Sequence, residues 1–259
     1  MLHVRRAIRI VALALVSLLG YVPLLVVSVL PADSSIRLRT QSLVLMLWSR
    51  AVCRIIGLER DVIGQAPTET GVFVANHLSY VDIVLIASEM RTAFVAKSDV
   101  RHWPLVGHLV TIAGTVYVDR QRHRSLPVAN ASIRARLAAD TSVVVFAEGS
   151  STAGESVLPF RPSLLQMAAE FDYPVNHGYL SYRIDTAADN EARTADQICW
   201  WGDAGFAAHI LNLLALPGFA ARLVFGDAPL RGTDRKQLAE QLHSAVDAQL
   251  GKYRWNFEA

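Results

Sequence analysis

The stretch Val72-Phe-Val-Ala-Asn-His-Leu-Ser-Tyr-Val-Asp82 sets a histidine five residues ahead of an aspartate, directly after an apolar run with strand character. A strand ending at Ala75 places Asn76 and His77 beyond its carboxyl end, where open α/β sheets hold ligands. A carboxylate on one imidazole nitrogen fixes the tautomer and leaves the other nitrogen to take a proton from an alcohol attacking a carbonyl. His77 and Asp82 must then meet across a turn, because positions five apart on a continuous helix do not share a face. Ser79 is placed to cap the helix that follows. Ser79-x-x-Asp82 is also a capping-box pattern with no chemical content of its own.

Two further stretches end in polar side chains. Val143-Val-Val-Phe-Ala-Glu-Gly-Ser-Ser-Thr152 reads as a buried strand delivering Glu148 and Gly149 to the same rim, followed by hydroxyl-rich backbone that includes Ser150. Successive N–H groups in such a loop can face an anion, and a rim carboxylate can hold a hydroxyl. Gly114-Thr-Val-Tyr-Val-Asp-Arg120 ends another strand on a guanidinium, with Arg122 and Arg124 behind it. Arginine suits bidentate phosphate binding. Taken singly, an ordinary strand-to-helix turn and a solvated charge cluster explain these two stretches equally well.

The elements that must position these groups alternate. Strands are predicted at 72–75, 93–96, 115–118, 143–146, 175–182 and 223–225, and helices at 80–89, 126–138, 163–171 and 234–252. Alternation of this kind predicts an α/β domain with a mixed, partly parallel sheet flanked by helices. In the last helix Leu238, Leu242, Val246 and Leu250 recur every four residues as a core stripe, with Thr233 or Asp234 as its cap.

Ahead of this domain the chain differs in kind. Ile8 to Leu30 is apolar apart from Arg9, long enough for the ~20 residues a membrane-crossing helix needs. A cleaved signal peptide begins similarly, but the stretch is long for one and lacks a clean small-x-small cleavage site. Leu43 to Ile56, interrupted by Arg50 and Arg54, reads as a second helix lying in the membrane interface. The expected organisation is a membrane-anchoring helix or two-helix motif over residues 1–60 and an α/β domain over 61–259.

Residues 1–60 carry eight arginines against Asp33 and Glu59, a balance of +6, leaving −4 for the remainder of a chain whose formal net charge is +2. Basic residues among apolar runs favour an anionic membrane surface. Nucleic acid is disfavoured, since the arginines are not clustered beside stacking aromatics. Cys53 and Cys199 form no spaced pair, so neither a disulfide framework nor a zinc site is implied.

In order, Asn76-His77-x4-Asp82, the Gly114 to Arg120 strand end and Phe146-Ala-Glu-Gly149 resemble the blocks of the glycerolipid acyltransferase family, over roughly residues 71–182. The resemblance implies that His77 is a general base oriented by Asp82. Arg120 would help hold the acceptor phosphate, with Glu148 and Gly149 contributing to acceptor binding. It implies direct transfer from an acyl carrier protein or coenzyme A thioester, without an acyl-enzyme, a metal or another cofactor. The partners would be the bilayer, the thioester donor and a lysolipid acceptor, at a bacterial inner membrane with the catalytic domain toward the cytoplasm.

Departures from the family pattern bear on the acceptor. The usual Phe-Pro-Glu-Gly-Thr-Arg is here Phe146-Ala-Glu-Gly-Ser-Ser151, so a frequent arginine is replaced by Ser151. Arg161, in Pro159-Phe-Arg-Pro-Ser163, is positioned to compensate, and His177 in Pro174-Val-Asn-His177 is a further site candidate. The leading expectation is acylation of 1-acylglycerol-3-phosphate to phosphatidic acid. The alternative is a lyso-ornithine lipid or another lysolipid, since lyso-ornithine lipid acyltransferases are similar in lacking that arginine. A non-catalytic acyl-chain binder is a third reading, which the intact His77 and Asp82 oppose. A serine hydrolase is disfavoured further, since there is no Gly-x-Ser-x-Gly elbow and Gly149-Ser-Ser-Thr-Ala-Gly154 has the wrong spacing. Ile198-Cys-Trp-Trp-Gly-Asp203 reads equally as core, membrane interface or the path of an acyl chain or headgroup.

Overall fold

The computed structural model describes residues 2–118, 126–184 and 191–255. Two long helices, α1 (Leu2–Val27) and α2 (Ser35–Ile56), lead into the strand β1 (Leu58–Ile63). The chain continues through β2 (Val72–Ala75), α3 (Val81–Glu89), β3 (Thr92–Lys97), a 3-10 turn at Ser98–His102, α4 (Val106–Ile112) and β4 (Val116–Val118). Next come α5 (Leu126–Ala138), β5 (Ser142–Val145), a 3-10 turn at Pro162–Leu164, α6 (Gln166–Glu170) and β6 (Val175–Arg183). The elements α7 (Glu191–Gln197), α8 (Phe206–Leu213), β7 (Phe219–Phe225) and α9 (Arg235–Tyr253) complete it.

The seven strands lie in the order β1-β7-β6-β2-β5-β3-β4. All paired neighbours are parallel except β6 and β7, which makes the sheet mixed and mostly parallel. Alternate side chains on each strand supply two separate cores. Phe73, Ala75, Leu180, Tyr182, Leu223 and Phe225 face α2, α3 and α8. Val72, Val74, Val143, Val145, Val175 and Tyr179 face α5, α6 and α9. The predicted stripe on α9 is buried at Leu238, Leu242 and Val246, each side chain contributing about 1.5–3 kcal/mol. Asp234 caps that helix, its side chain accepting from the N–H groups of Lys236 and Gln237.

The chain leaves β2 through α3 on one face and β5 through α6 on the other. Adjacent parallel strands whose connections diverge in this way open a crevice at their carboxyl ends. β2 and β5 pair in parallel from Val72↔Val143 to Val74↔Val145, so the loops after Ala75 and Val145 emerge side by side.

Three expectations from the sequence are corrected. β1 is an additional strand, paired in parallel with β7 from Leu58 to Ile63. The helix expected at 163–171 is a 3-10 turn followed by the short α6, with Pro162 at the start of the turn. The expected interfacial helix is the second part of α2, which runs from Ser35 and buries Val52, Cys53 and Ile56 in the core as well as packing on α1. α2 ends at Gly57, whose φ of 75° favours glycine and where a Cβ would lie 3.1 Å from the Pro217 carbonyl oxygen.

Among the described residues α1 is the one helix long and apolar enough to cross a membrane, and only 11% of its most apolar window is buried. Val4, Ile8, Val11, Leu15, Leu18, Val22 and Leu25 form an exposed stripe at helical spacing. This N-terminal apolar helix points to membrane association. Many of the N-terminal arginines, however, brace the chain itself. Arg9, 8% exposed, donates to the carbonyls of Leu214, Leu216 and Pro217, and Arg5 to that of Ala215. Arg37 closes the α1–α2 turn through Ser28 and Leu30, Arg50 holds Ser88, and Arg60 pairs with Glu89.

Candidate active site

The segment between Ala75 and Val81 is not helical, and this is what allows positions 77 and 82 to meet. Nδ1 of His77 lies 2.7 Å from Oδ2 of Asp82. The same oxygen accepts the backbone N–H groups of Leu78 at 2.7 Å and Ser79 at 3.0 Å, while Oδ1 accepts the Tyr182 hydroxyl at 2.5 Å. Four donors thus converge on a carboxylate whose side chain is 0% exposed, next to an imidazole that is 21% exposed. With Nδ1 donating to Asp82, Nε2 is the ring atom left to accept a proton. The imidazole also stacks on Phe146, with ring centroids 3.9 Å apart and 13° between planes.

Only one half of the capping-box pattern forms, the Asp82 carboxylate accepting the Ser79 N–H. Ser79 does not cap α3, and its buried hydroxyl has no hydrogen-bond partner. Asp82 instead reaches back to bond the N–H groups preceding its own helix.

Glu148 links the two loops. Its Oε1 accepts the His77 N–H at 2.7 Å and its Oε2 the Leu158 N–H at 3.1 Å. Burial raises its pKa to about 7; the two backbone donors oppose that rise, and the charge of Asp82 adds to it. The Thr152 N–H returns to the His77 carbonyl at 2.9 Å, so the loops after β2 and β5 are stitched together on both sides of His77. Gly149 adopts a left-handed φ of 81°, and its N–H is taken up by the Phe146 carbonyl at 3.1 Å.

The remaining sequence candidates separate. Asn76 is buried and spends its amide on the Leu180 backbone, donating at 2.9 Å and accepting at 2.7 Å, which joins the end of β2 to β6. Asn76 and Glu148 thus support the loop that carries His77. Ser150 is exposed at the rim. Arg161 is exposed there too, its backbone bonded to Ala147 and its Nε donating to the Glu148 carbonyl at 3.1 Å. Arg120, with Arg122 and Arg124, lies outside the described residues. His177 is not brought to the pair. It shares the alternation of Val175 and Tyr179 rather than that of Leu180 and Tyr182, and packs on Gly226, where a Cβ would sit 2.3 Å from its Nε2.

Sequence reasoning missed Phe146 as the platform beneath His77, and Tyr182. It left the 198–203 segment open. The Trp200 N–H donates to the Leu78 carbonyl at 2.8 Å, and the Trp200 carbonyl accepts the hydroxyl of Ser151. Leu78 and Ser151 therefore tie that segment to the loops after β2 and β5. Such contacts join residues about 50 to 120 positions apart and leave no spacing signal.

A buried carboxylate, an oriented imidazole with one free nitrogen and a crevice at the carboxyl ends of β2 and β5 can deprotonate a hydroxyl as it attacks an acyl carbonyl. Comparison with known proteins identifies the family. The acyltransferase family model matches residues 60–176. A lyso-ornithine lipid O-acyltransferase of Pseudomonas aeruginosa is 32% identical over 77% of this chain and 75% of its own length. A 1-acyl-sn-glycerol-3-phosphate acyltransferase of Neisseria meningitidis is 28% identical over 74% of each chain. The crystal structure of the 1-acyl-sn-glycerophosphate acyltransferase from Thermotoga maritima superposes with a TM-score of 0.60 at 20% identity, over 96% of this chain and 100% of that one. The chain thus belongs to the acyltransferase family.

Proposed function

We propose that this acyltransferase is a lysolipid O-acyltransferase whose acceptor headgroup carries no phosphate, with a lyso-ornithine lipid as the substrate class. The observation that carries this is Ser151. At a position where the family pattern places an arginine, a neutral hydroxyl stands, and it is spent on the Trp200 carbonyl. A charge-assisted bond to phosphate is worth roughly 1.5–3 kcal/mol, so a site without that cation is poorer for a phosphorylated acceptor. Relatives from Pseudomonas aeruginosa, Rhodobacter capsulatus, Brucella abortus and Rhizobium meliloti, all named lyso-ornithine lipid O-acyltransferases, support this acceptor over the phosphatidic acid reading that led in the sequence. The second reading, transfer to 1-acylglycerol-3-phosphate, rests on Arg120 and on the Neisseria relative.

In the proposed reaction the acceptor hydroxyl gives its proton to Nε2 of His77 while its oxygen attacks the thioester carbonyl. The ester C–O bond forms, the C–S bond breaks, and the departing thiolate takes the proton from the imidazolium, which Asp82 stabilises. Gly149, Ser150 and Arg161 are proposed to line the acceptor's approach. The donor is an acyl carrier protein or coenzyme A thioester. Residues 1–60 are proposed to anchor the enzyme at a bacterial inner membrane, with 61–259 as the catalytic unit on the cytoplasmic side and β1, Leu58–Ile63, crossing the boundary to join that unit's sheet.

The experiment is a competition assay. The membrane-extracted enzyme receives a labelled acyl thioester with lysophosphatidic acid and lyso-ornithine lipid together. Acylated ornithine lipid as the main product is expected. Phosphatidic acid as the main product would restore the second reading.

A further inference from the structure

Four aromatic side chains from four segments converge beside the loop that carries His77. Tyr80 precedes α3, Trp103 follows the 3-10 turn, Trp200 follows α7, and Phe206 opens α8. Ring centroids lie 5.1 Å apart for Tyr80 and Phe206, 5.7 Å for Trp103 and Phe206 and for Trp200 and Phe206, and 5.9 Å for Trp103 and Trp200. All four are partly exposed rather than buried. The cluster is fixed to the catalytic loops, because the Trp200 backbone bonds both Leu78 and Ser151.

The charges around it are distinctive. Trp200 Nε1 donates to the Ala204 carbonyl at 2.7 Å and closes a turn through Gly202, at φ 62°, that presents the exposed Asp203. His209 backs the cluster. Its Nε2 lies 3.0 Å from the Cys199 carbonyl, so that nitrogen donates, and Nδ1 accepts from the Tyr80 hydroxyl at 3.0 Å. That tautomer is neutral, and burial lowers the His209 pKa further. Arg101, two residues before Trp103, lies over the Tyr117 ring at 5.9 Å.

We propose that Tyr80, Trp103, Trp200, Phe206 and Asp203 form a subsite for a cationic amine on the acceptor headgroup. Aromatic faces attract an ammonium within about 6 Å and disfavour phosphate, and the Asp203 carboxylate adds to both effects. Ser151 serves this subsite by holding Trp200 while contributing no positive charge. The proposal rests on the phosphate-free acceptor reading and deepens it, since the ornithine side chain ends in a primary amine.

The test uses the full chain with three acceptors: lyso-ornithine lipid, the same lipid acetylated on its side-chain amine, and lysophosphatidic acid. Wild-type kcat/KM is expected to favour the free amine over the acetylated lipid by roughly 3- to 30-fold. That ratio should fall toward one in Trp200→Leu and shrink in Asp203→Asn through KM, while Trp201→Leu leaves it unchanged. Equal use of the amine and acetylated lipids by wild type would overturn the subsite and leave the phosphate-free reading standing. Transfer to lysophosphatidic acid alone would overturn both. A Trp200→Leu variant that loses activity on both ornithine lipids by one common factor assigns the ring to packing or membrane contact and also overturns the subsite. Asp203 is exposed, so its variant keeps the test decisive if Trp200→Leu fails to fold.

Discussion

The Tyr182 hydroxyl donates to Oδ1 of Asp82 at 2.5 Å, joining two buried residues one hundred positions apart and completing the donor shell of the carboxylate that holds His77. Tyr182 ends the sequence segment 175–182 as read for β6, and it faces the same core as Phe73 and Leu223. Burial, reinforced by Asp82, holds its hydroxyl well above the ordinary phenol range, so it remains a donor. Tyr182→Phe removes a hydrogen bond to a charged group, worth about 1.5–3 kcal/mol. The expected result is a folded enzyme with a lower Tm and a kcat reduced roughly 10-fold at unchanged KM. Wild-type kcat and Tm in this variant would show that the phenol does not hold Asp82 in place.

His77→Ala should abolish turnover while the protein stays folded, because the imidazole is partly exposed and stacks on Phe146, which is itself only partly buried. Asp82→Asn isolates charge from geometry. Its amide oxygen can take the place of Oδ2 before three N–H donors, and its NH2 can donate to the Tyr182 oxygen. Turnover should therefore fall about 10²–10⁴-fold with the fold retained. Steady-state kinetics and circular dichroism on both variants check this; activity in His77→Ala above the background rate would remove the general-base assignment.

The His77–Asp82 pair was legible because it rests on local pattern. The run Val72–Ala75 is flanked by a glycine and a polar pair, and its observed bounds match those read from sequence. The helix at 126–138 matches likewise. What could not be read depended on distant partners. β1 is Leu58-Glu-Arg-Asp-Val-Ile63, an edge strand with exposed charged residues, and only its pairing with β7 makes it a strand. The first half of β7, Phe219-Ala-Ala-Arg, lacks β-branched residues and is held by β1 and β6 on its two sides. Glu148 was legible as a rim residue. Its bond to the His77 backbone was not, since no spacing rule relates positions 71 residues apart.

Glu148 gives the enzyme a specific pH dependence of stability. Its folded pKa of about 7 lies above the ordinary value of 4.5 because the carboxyl is 2% exposed. A raised folded pKa means the contribution is fully present below about pH 4.5 and is lost as pH rises through 7. At about 1.4 kcal/mol per pKa unit, the loss is on the order of 3 kcal/mol between pH 4.5 and 8. Glu148→Gln has no such titration. The Tm of wild type in detergent should therefore fall relative to Glu148→Gln as pH is raised from 5, and the fall should level off above about pH 7, the folded pKa. Parallel Tm curves for the two proteins would show that Glu148 titrates normally.

Arg9 distinguishes a strut from a lipid contact. A cation near the start of an apolar helix would ordinarily meet anionic headgroups. Here the guanidinium is buried and distributes its donors over the carbonyls of Leu214, Leu216 and Pro217, at the turn that feeds β7. Arg9→Met keeps the apolar stem, deletes the charge and leaves three carbonyls without that donor. Each unsatisfied buried group costs about 1–3 kcal/mol. Thermal unfolding should show a marked loss of stability, while cosedimentation with anionic vesicles stays near wild type because the exposed stripe of α1 is unaltered. The reverse outcome, weaker vesicle binding at an unchanged Tm, would assign Arg9 to the membrane surface and detach α1 from the domain it braces.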